Sequence, residues 1–271
     1  MEYLRQLAEW SELAFTALLL VVLFAAYEAG SWVARRNIDR GDKAPEGVGV
    51  IVSGLLALLA FVLALTLSYA SARFNERRSG ALAEANAIST AWTRAEAIGH
   101  PRGKEIARLL EQYTRVRQDF VEAGRDAARL AEINKTTKEL QSTMTGHLAA
   151  IVQERPDTVS TSLMTSLNET FDAATSERFA YDRGLPPPVF WLLLSLSLLS
   201  AAALGYQMGH GRKRPRLLAA VLMLAWAIVT VDILDLASPR LGALRTNTDA
   251  YRWTLQGFEG GVQIPPVPAA R

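Results

Sequence analysis

Two long uncharged stretches, 47–72 and 184–209, constrain this chain more than any other feature of its sequence. Neither contains Asp, Glu, Lys or Arg. A helix needs roughly 20 predominantly apolar residues to cross the hydrocarbon core of a bilayer. The first stretch therefore predicts a membrane span over 47–72, and the second predicts one over about 186–208. The chain is expected to be an integral membrane protein.

Two further apolar segments are expected to cross the membrane, although each contains acidic residues. One covers 13–33 and includes Glu28, and the other covers 217–237 and includes Asp232 and Asp235. With four spans, the chain is predicted to be an all-α integral membrane protein. Two transmembrane hairpins then lie at the two ends of the sequence.

A polar segment separates the two hairpins. We assign 1–72 to the first hairpin, 73–183 to a long extramembrane bundle of helices, 184–237 to the second hairpin and 238–271 to a C-terminal tail whose last part is flexible. The central segment is expected to be a bundle because its apolar residues recur at helical spacing, without strand-like alternation. Short connections between its helices favour antiparallel neighbours.

Three amphipathic faces define the predicted core of the bundle. Each carries apolar side chains three or four residues apart. They comprise Ile106, Leu109, Leu110, Tyr113, Val116 and Phe120 in the first, Leu130, Ile133, Thr137, Leu140, Met144, Leu148 and Ile151 in the second, and Val159, Leu163, Leu167, Phe171 and Ala174 in the third. Asp157 follows Pro156 and is expected to cap the third helix.

The second span is expected to continue beyond the membrane as one helix over 47–98. A single glycine, Gly80, is tolerated inside a helix. Replacing Gly80 by alanine is then predicted to be neutral or slightly stabilising. Gly49 and Ser53 of the same span form a pair of small residues four apart, which is typical of close helix packing in membranes.

The charges of the short loops predict the orientation. Loop 35–46 and loop 210–216 are rich in Lys and Arg, and such short loops usually stay in the cytoplasm. The N-terminus, the central bundle and the C-terminus are therefore predicted to lie outside. We expect a multi-pass protein of a bacterial cytoplasmic (inner) membrane.

The composition and the motif content argue against several classes of function. The net charge of +2 does not favour a nucleic-acid partner. The chain has no cysteine, and its 3 histidines have no metal-ligand spacing. No phosphate-binding loop or nucleophile motif occurs. We therefore expect no catalytic residue, no metal site and no cofactor, so the protein is not expected to be an enzyme.

Several segments together resemble a bacterial membrane family of unknown function that is often labelled bestrophin-like. They are WVARR after the first span, GLLALLAFVLALTLSYASARFNERR through the second, EANAISTAWTRAEAI in the central segment and DLASPRLGAL after the fourth. The resemblance covers roughly 35–245. Its candidate signature residues are Glu84, Asn86, Trp92, Pro239 and Arg240.

The resemblance implies kinship with anion channels. Bestrophins are pentamers whose second span lines the pore and whose helical domain lies on the cytoplasmic side. The loop charges of this chain predict the opposite side for the helical domain.

The acidic residues within the spans allow two interpretations each. Asp232 and Asp235 lie on one helix face and form either a cation or proton site, or structural pairs with Arg240 or a neighbouring helix. The structural interpretation is favoured, and it makes Asp232 the more deeply buried of the two. Glu28 either pairs with a basic loop residue, which is favoured, or coordinates an ion. Glu84 and Asn86 form either a buried polar pair or a ligand contact.

Two functions from different classes fit these features. The first is a subunit of an oligomeric ion channel or pore, in which the apolar stretch 55–67 forms a constriction that gates by dewetting. Its partners would be the lipid bilayer, further copies of the chain and a small ion. The second is a non-enzymatic membrane scaffold or envelope-sensing protein that binds partners through its outer helical bundle.

Overall fold

The computed structural model of the chain describes residues 12–40, 46–211, 216–240 and 244–263. Within these ranges the regular structure is entirely helical, as expected for an all-α protein. The helices are α1 (Glu12–Asp39), α2 (Val48–Ala97), α3 (Pro101–Glu122), α4 (Ala127–Glu154), α5 (Thr158–Asp182), α6 (Pro187–Gly209), α7 (Arg216–Ala237) and α8 (Asp249–Phe258).

Four helices are long and apolar enough to cross a membrane, namely α1, α2, α6 and α7. The fold class predicted from the sequence is thereby confirmed. The helices divide into two compact units. The membrane unit contains the described parts of Met1–Phe74 and Gly184–Leu244, and the bundle unit contains those of Asn75–Arg183 and Arg245–Arg271.

In the membrane unit, α1 and α6 pack with their backbones almost in contact. A Cβ atom added at Gly30 of α1 would lie 1.9 Å from the carbonyl oxygen of Ala202, and one added at Gly209 of α6 would lie 2.6 Å from the Cβ of Ala34. Small residues permit such close approach between membrane helices. The tightest pair therefore joins the first and third spans, which belong to different hairpins.

The small-residue motif responsible is not the one expected from the sequence. On α6, Ala201, Gly205 and Gly209 recur every four residues and are all buried against their neighbours. At Gly49, by contrast, an added Cβ would meet only the side-chain amide of Gln207 at 3.4 Å, and Ser53 is exposed.

Two apolar clusters complete the membrane unit. The first joins α1, α6 and α7 and the second joins α2, α6 and α7. Their fully buried members are Leu23, Ala201, Met223 and Ala227 in the first and Leu59, Leu193, Ile233 and Ala237 in the second.

In the bundle unit, the helix boundaries follow the local signals in the sequence. Asp157 forms a capping box with Ser160, so its predicted role is confirmed. Asp126 accepts backbone N–H groups of Ala128 and Arg129 at the start of α4. Gly99, with a φ of 67°, adopts the left-handed conformation between α2 and α3, where glycine is favoured.

The predicted apolar faces form the core of the bundle unit. Of these residues, Val159 is 44% exposed and does not belong to the core. The helix α2 runs without interruption through Gly80, which confirms the predicted continuity. The sequence did not predict α8, which begins at Asp249 within the assigned tail and belongs to the bundle unit. The last part of that tail, 264–271, lies outside the described residues.

Candidate functional site

A buried ion pair lies at the centre of the bundle unit. The Arg117 guanidinium of α3 donates to both carboxylate oxygens of Glu84 on α2, from Nε at 2.5 Å and from Nη2 at 3.1 Å. Glu84 is fully buried and Arg117 is 1% exposed. Two donors in this fork geometry fix the orientation of a carboxylate more strictly than a single hydrogen bond does.

The C-terminal helix α8 contributes the third member of this network. The Tyr251 hydroxyl donates to Glu84 Oε2 at 2.8 Å. Nearby in the same unit, Phe258 stacks on Trp92 with ring centroids 4.7 Å apart. The Glu84 carboxylate therefore holds α8 as well as α3 against α2.

The pKa values of this network reflect burial in competition with charge. Burial opposes the charge of Arg117, but the Glu84 carboxylate outweighs it and holds the pKa of Arg117 above its usual value. For Tyr113 and Tyr251, burial and then the negative charge of Glu84 raise the pKa. Both phenols therefore stay protonated, and Tyr251 remains a hydrogen-bond donor.

A second buried carboxyl group, Glu177 of α5, belongs to the same core. Its side chain is 1% exposed, and neither of its oxygens has a hydrogen-bond partner. Burial raises the pKa of Glu177 to about 8, with a further contribution from the charge of Glu84, while Arg117 lowers it. The Arg117 guanidinium thus interacts electrostatically with both Glu84 and Glu177. Among the contacts described, it hydrogen-bonds to Glu84 and not to Glu177.

The acidic residues of the membrane unit occupy different environments. The Glu28 carboxylate pairs with Arg216, a residue of the basic loop 210–216, at 3.0 Å between Oε1 and Nε. Asp235 is 5% exposed, and its Oδ2 accepts the backbone N–H of Leu244 at 3.1 Å. Asp232 is exposed. The burial of the two aspartates is therefore the reverse of the sequence-based expectation, because α7 turns Asp235 and not Asp232 towards the rest of the unit.

The remaining signature residues have separate surroundings. Trp92 is buried and its indole Nε1 donates to Glu111 at 3.4 Å. Asn86 is exposed, so it is not part of the Glu84 network. Pro239 and Arg240 are half-buried after the end of α7. Glu84 and Asn86 are only two positions apart in the sequence, but Glu84 is buried and Asn86 is exposed.

The sequence does contain a signal for Arg117 and Glu177, two members of the network that the sequence analysis did not single out. Arg117 lies four positions after Tyr113 on the apolar face of α3, and Glu177 lies three positions after Ala174 on the apolar face of α5. Both faces point into the core. A charged residue at such a position is a candidate for burial with a partner, because an unpaired buried charge is very costly.

In the described part of the chain, no group of three or more His, Asp or Glu side chains is arranged to hold a metal ion. The site instead combines a satisfied ion pair, a phenol donor and a carboxyl group without a hydrogen-bond partner. Such an arrangement can bind or release a proton and can couple the packing of three helices.

Comparison with known proteins identifies relatives of this architecture. A family model described as the bestrophin-like domain matches residues 16–251. A crystal structure of a variant of a bacterial bestrophin homologue from Klebsiella pneumoniae is similar, with a TM-score of 0.69 and 14% identity over 89% of this chain and 96% of that one.

The same homologue, in a structure phased with zinc, matches with a TM-score of 0.66 and 14% identity over 91% of this chain and 99% of that one. A structure described as a membrane protein variant matches with a TM-score of 0.71 and 12% identity, covering 92% and 99% of the two chains. At these identities the likeness concerns the fold alone. No curated protein matches the chain.

Proposed function

Because the chain belongs to the bestrophin-like family, we propose that it is a subunit of a homo-oligomeric ion channel or pore in a bacterial inner membrane. Kinship with oligomeric anion channels is what the family resemblance implies. In this role the protein is non-enzymatic, and its partners are the bilayer, further copies of the chain and a small ion.

The observation that carries this proposal is the distribution of exposed surface in the membrane unit. The helices α1 and α6 are in backbone contact, so no ion path runs between them. In the most apolar stretch of α2, 17% of the residues are buried within the structure, which is the lowest share among the four spans. A pore would therefore form between copies of the chain, with α2 as the helix available to line it.

The exposed face of α2 has the spacing expected of a pore lining. Leu58, Phe61 and Leu65 are 49%, 60% and 56% exposed and recur at helical spacing, whereas Leu59 and Leu63 are buried within the unit. A ring of such side chains from several subunits would form a hydrophobic constriction that gates by dewetting.

Asp232 gives independent support for assembly. It is exposed on the surface of a transmembrane helix. An acidic residue within a span is costly when it faces lipid, and it usually faces another protein surface or a water-filled path. A neighbouring subunit or a hydrated path between subunits would supply such surroundings.

The test is ion flux into liposomes that contain the purified protein, together with the mass of the oligomer. We expect an oligomer and a protein-dependent flux. Leu58→Ala should widen the constriction and increase the flux, whereas Leu199→Ala on α6, which is 61% exposed, is the matched control and should leave it unchanged.

An oligomer without any flux, for the wild type and for Leu58→Ala alike, would contradict the channel. That result would favour the alternative function, a membrane scaffold or envelope-sensing protein. Equal flux changes for Leu58→Ala and Leu199→Ala would contradict the assignment of α2 to the pore.

A further inference from the structure

The carboxyl group of Glu177 lies against the backbone of the long helix α2. A Cβ atom added at Gly80 would lie 3.2 Å from Glu177 Oε2, so only glycine leaves ordinary room for the carboxyl group at this position. The side chain is 1% exposed, and both of its oxygens lack a hydrogen-bond partner. A buried polar atom of this kind calls for an explanation, since nearly all such atoms in native proteins are paired.

Three titratable groups on other helices of the unit interact electrostatically with Glu177, and all three are buried. They are Glu84 on α2, Arg117 on α3 and Tyr251 on α8. Two further buried groups are close to this contact along the chain: Arg77 lies three residues before Gly80 on α2, and Tyr181 lies four residues after Glu177 on α5.

The charges among these groups disfavour ionisation of Glu177. Arg117 already donates to both oxygens of Glu84, so its charge is largely balanced by that carboxylate. Ionised Glu177 would place a second negative charge near Glu84 without a hydrogen bond of its own, and such a charge is far costlier than a neutral carboxyl group.

We propose that Glu177 is a buried proton-binding site whose occupancy controls the packing of α5 against α2. While the proton is bound, the neutral carboxyl group lies against Gly80 within the core. When the proton leaves, the carboxylate repels Glu84 and draws water into the core, which loosens this contact. This role of Glu177 is inferred from the packing within the bundle unit and does not depend on channel activity.

The sign of the pH effect follows from linkage. The pKa of Glu177 is about 8 in the folded protein, against 4.5 for an ordinary glutamate. The folded state therefore binds more protons than the unfolded state between these two values. The stability that the neutral carboxyl group contributes is fully present below pH 4.5 and is lost as the pH rises through 8.

The experiment measures thermal unfolding of the full-length protein in detergent at a series of pH values across this window. The wild type should lose several degrees of melting temperature as the pH rises. Glu177→Gln imitates the protonated carboxyl group, so this variant should lose much less. Glu169→Gln, at an exposed position of the same helix, is the matched control and should retain the wild-type pH dependence.

A second measurement keeps the proposal testable if Glu177→Gln fails to fold. Infrared spectroscopy of the wild type should detect the carbonyl stretch of a protonated carboxylic acid at neutral pH, and this band should disappear on alkaline titration. Glu169→Gln should leave the band unchanged.

Two results would overturn the proposal. One is the same pH dependence in Glu177→Gln and in the wild type. The other is a stability that depends at fixed pH on the concentration of sodium, potassium or calcium and loses this dependence in Glu177→Gln, because the site would then hold a cation in place of a proton.

Discussion

Gly205 of α6 lies directly against Tyr27 of α1, so close that a Cβ atom at Gly205 would lie 1.9 Å from the Tyr27 carbonyl oxygen. Backbone atoms cannot move aside as the end of a flexible side chain can. The two helices would have to separate to accept any side chain at this position.

Gly205→Ala is therefore expected to destabilise the protein by at least the roughly 1–3 kcal/mol typical of overpacked cores. Gly54→Ala is the matched control, because Gly54 also lies in a span and an added Cβ there would meet nothing within 4 Å. The free energies of unfolding in detergent check this prediction. Equal effects of the two substitutions would contradict the backbone contact.

Arg117→Met is expected to destabilise the bundle unit strongly, by about 3–5 kcal/mol, because it leaves the Glu84 carboxylate buried without its counter-charge. The double variant Glu84→Gln/Arg117→Met should recover part of this loss, since it removes both charges. Arg129→Met is the control, because the pair of Arg129 with Asp119 is exposed and should contribute only about 0–1 kcal/mol. A loss for Arg117→Met no larger than that of the control would show that the pair does not hold the core.

Asp235→Asn is expected to weaken the membrane unit by about 1 kcal/mol or more, because a charged acceptor of the Leu244 N–H becomes a neutral one. Asp232→Asn, three residues earlier on α7, should leave the stability of the isolated subunit nearly unchanged because Asp232 is exposed. Unfolding measurements on dissociated subunits would compare the two directly. A larger effect at Asp232 would restore the order expected from the sequence.

Gly80→Ala is expected to stabilise the protein less than Gly146→Ala does. Both positions lie inside helices, where alanine is favoured over glycine by roughly 0.5–1 kcal/mol. At Gly146 an added Cβ meets nothing within 4 Å, but at Gly80 it must displace Glu177 Oε2. The simple gain predicted from the sequence is therefore offset at Gly80.

The same Gly80→Ala variant should shift the titration of Glu177 to higher pH, because a methyl group at this position further shields the carboxyl group from water. The infrared titration measures this shift. An unshifted titration would indicate that the carboxyl group does not lie against Gly80.

The outside location of the bundle remains a prediction from the basic loops. Because the chain has no cysteine, single cysteines report the orientation cleanly. An impermeant thiol reagent on spheroplasts should label Ala127→Cys, exposed at the start of α4, and spare Gly211→Cys, exposed in the loop after α6. The reverse pattern would place the bundle in the cytoplasm, as in bestrophins.

The number and approximate positions of the spans follow from the sequence alone, and so do the amphipathic faces and the cap at Asp157. These features depend on residues that are close together in the chain. Hydropathy over roughly 20 residues, helical periodicity and capping hydrogen bonds are all local, so they need no knowledge of which helices meet.

The pairing of helices and the burial of charge were decided only by the tertiary structure. Gly205 meets Tyr27, Glu84 meets Arg117 and Tyr251, and Asp235 turns inward while Asp232 does not. The sequence marks Arg117 and Glu177 as charges on apolar faces but does not name their partners. The reason is physical: whether a charge is tolerated in a core depends on which side chains distant in the chain are brought within hydrogen-bonding distance, and only the packing of the helices determines that.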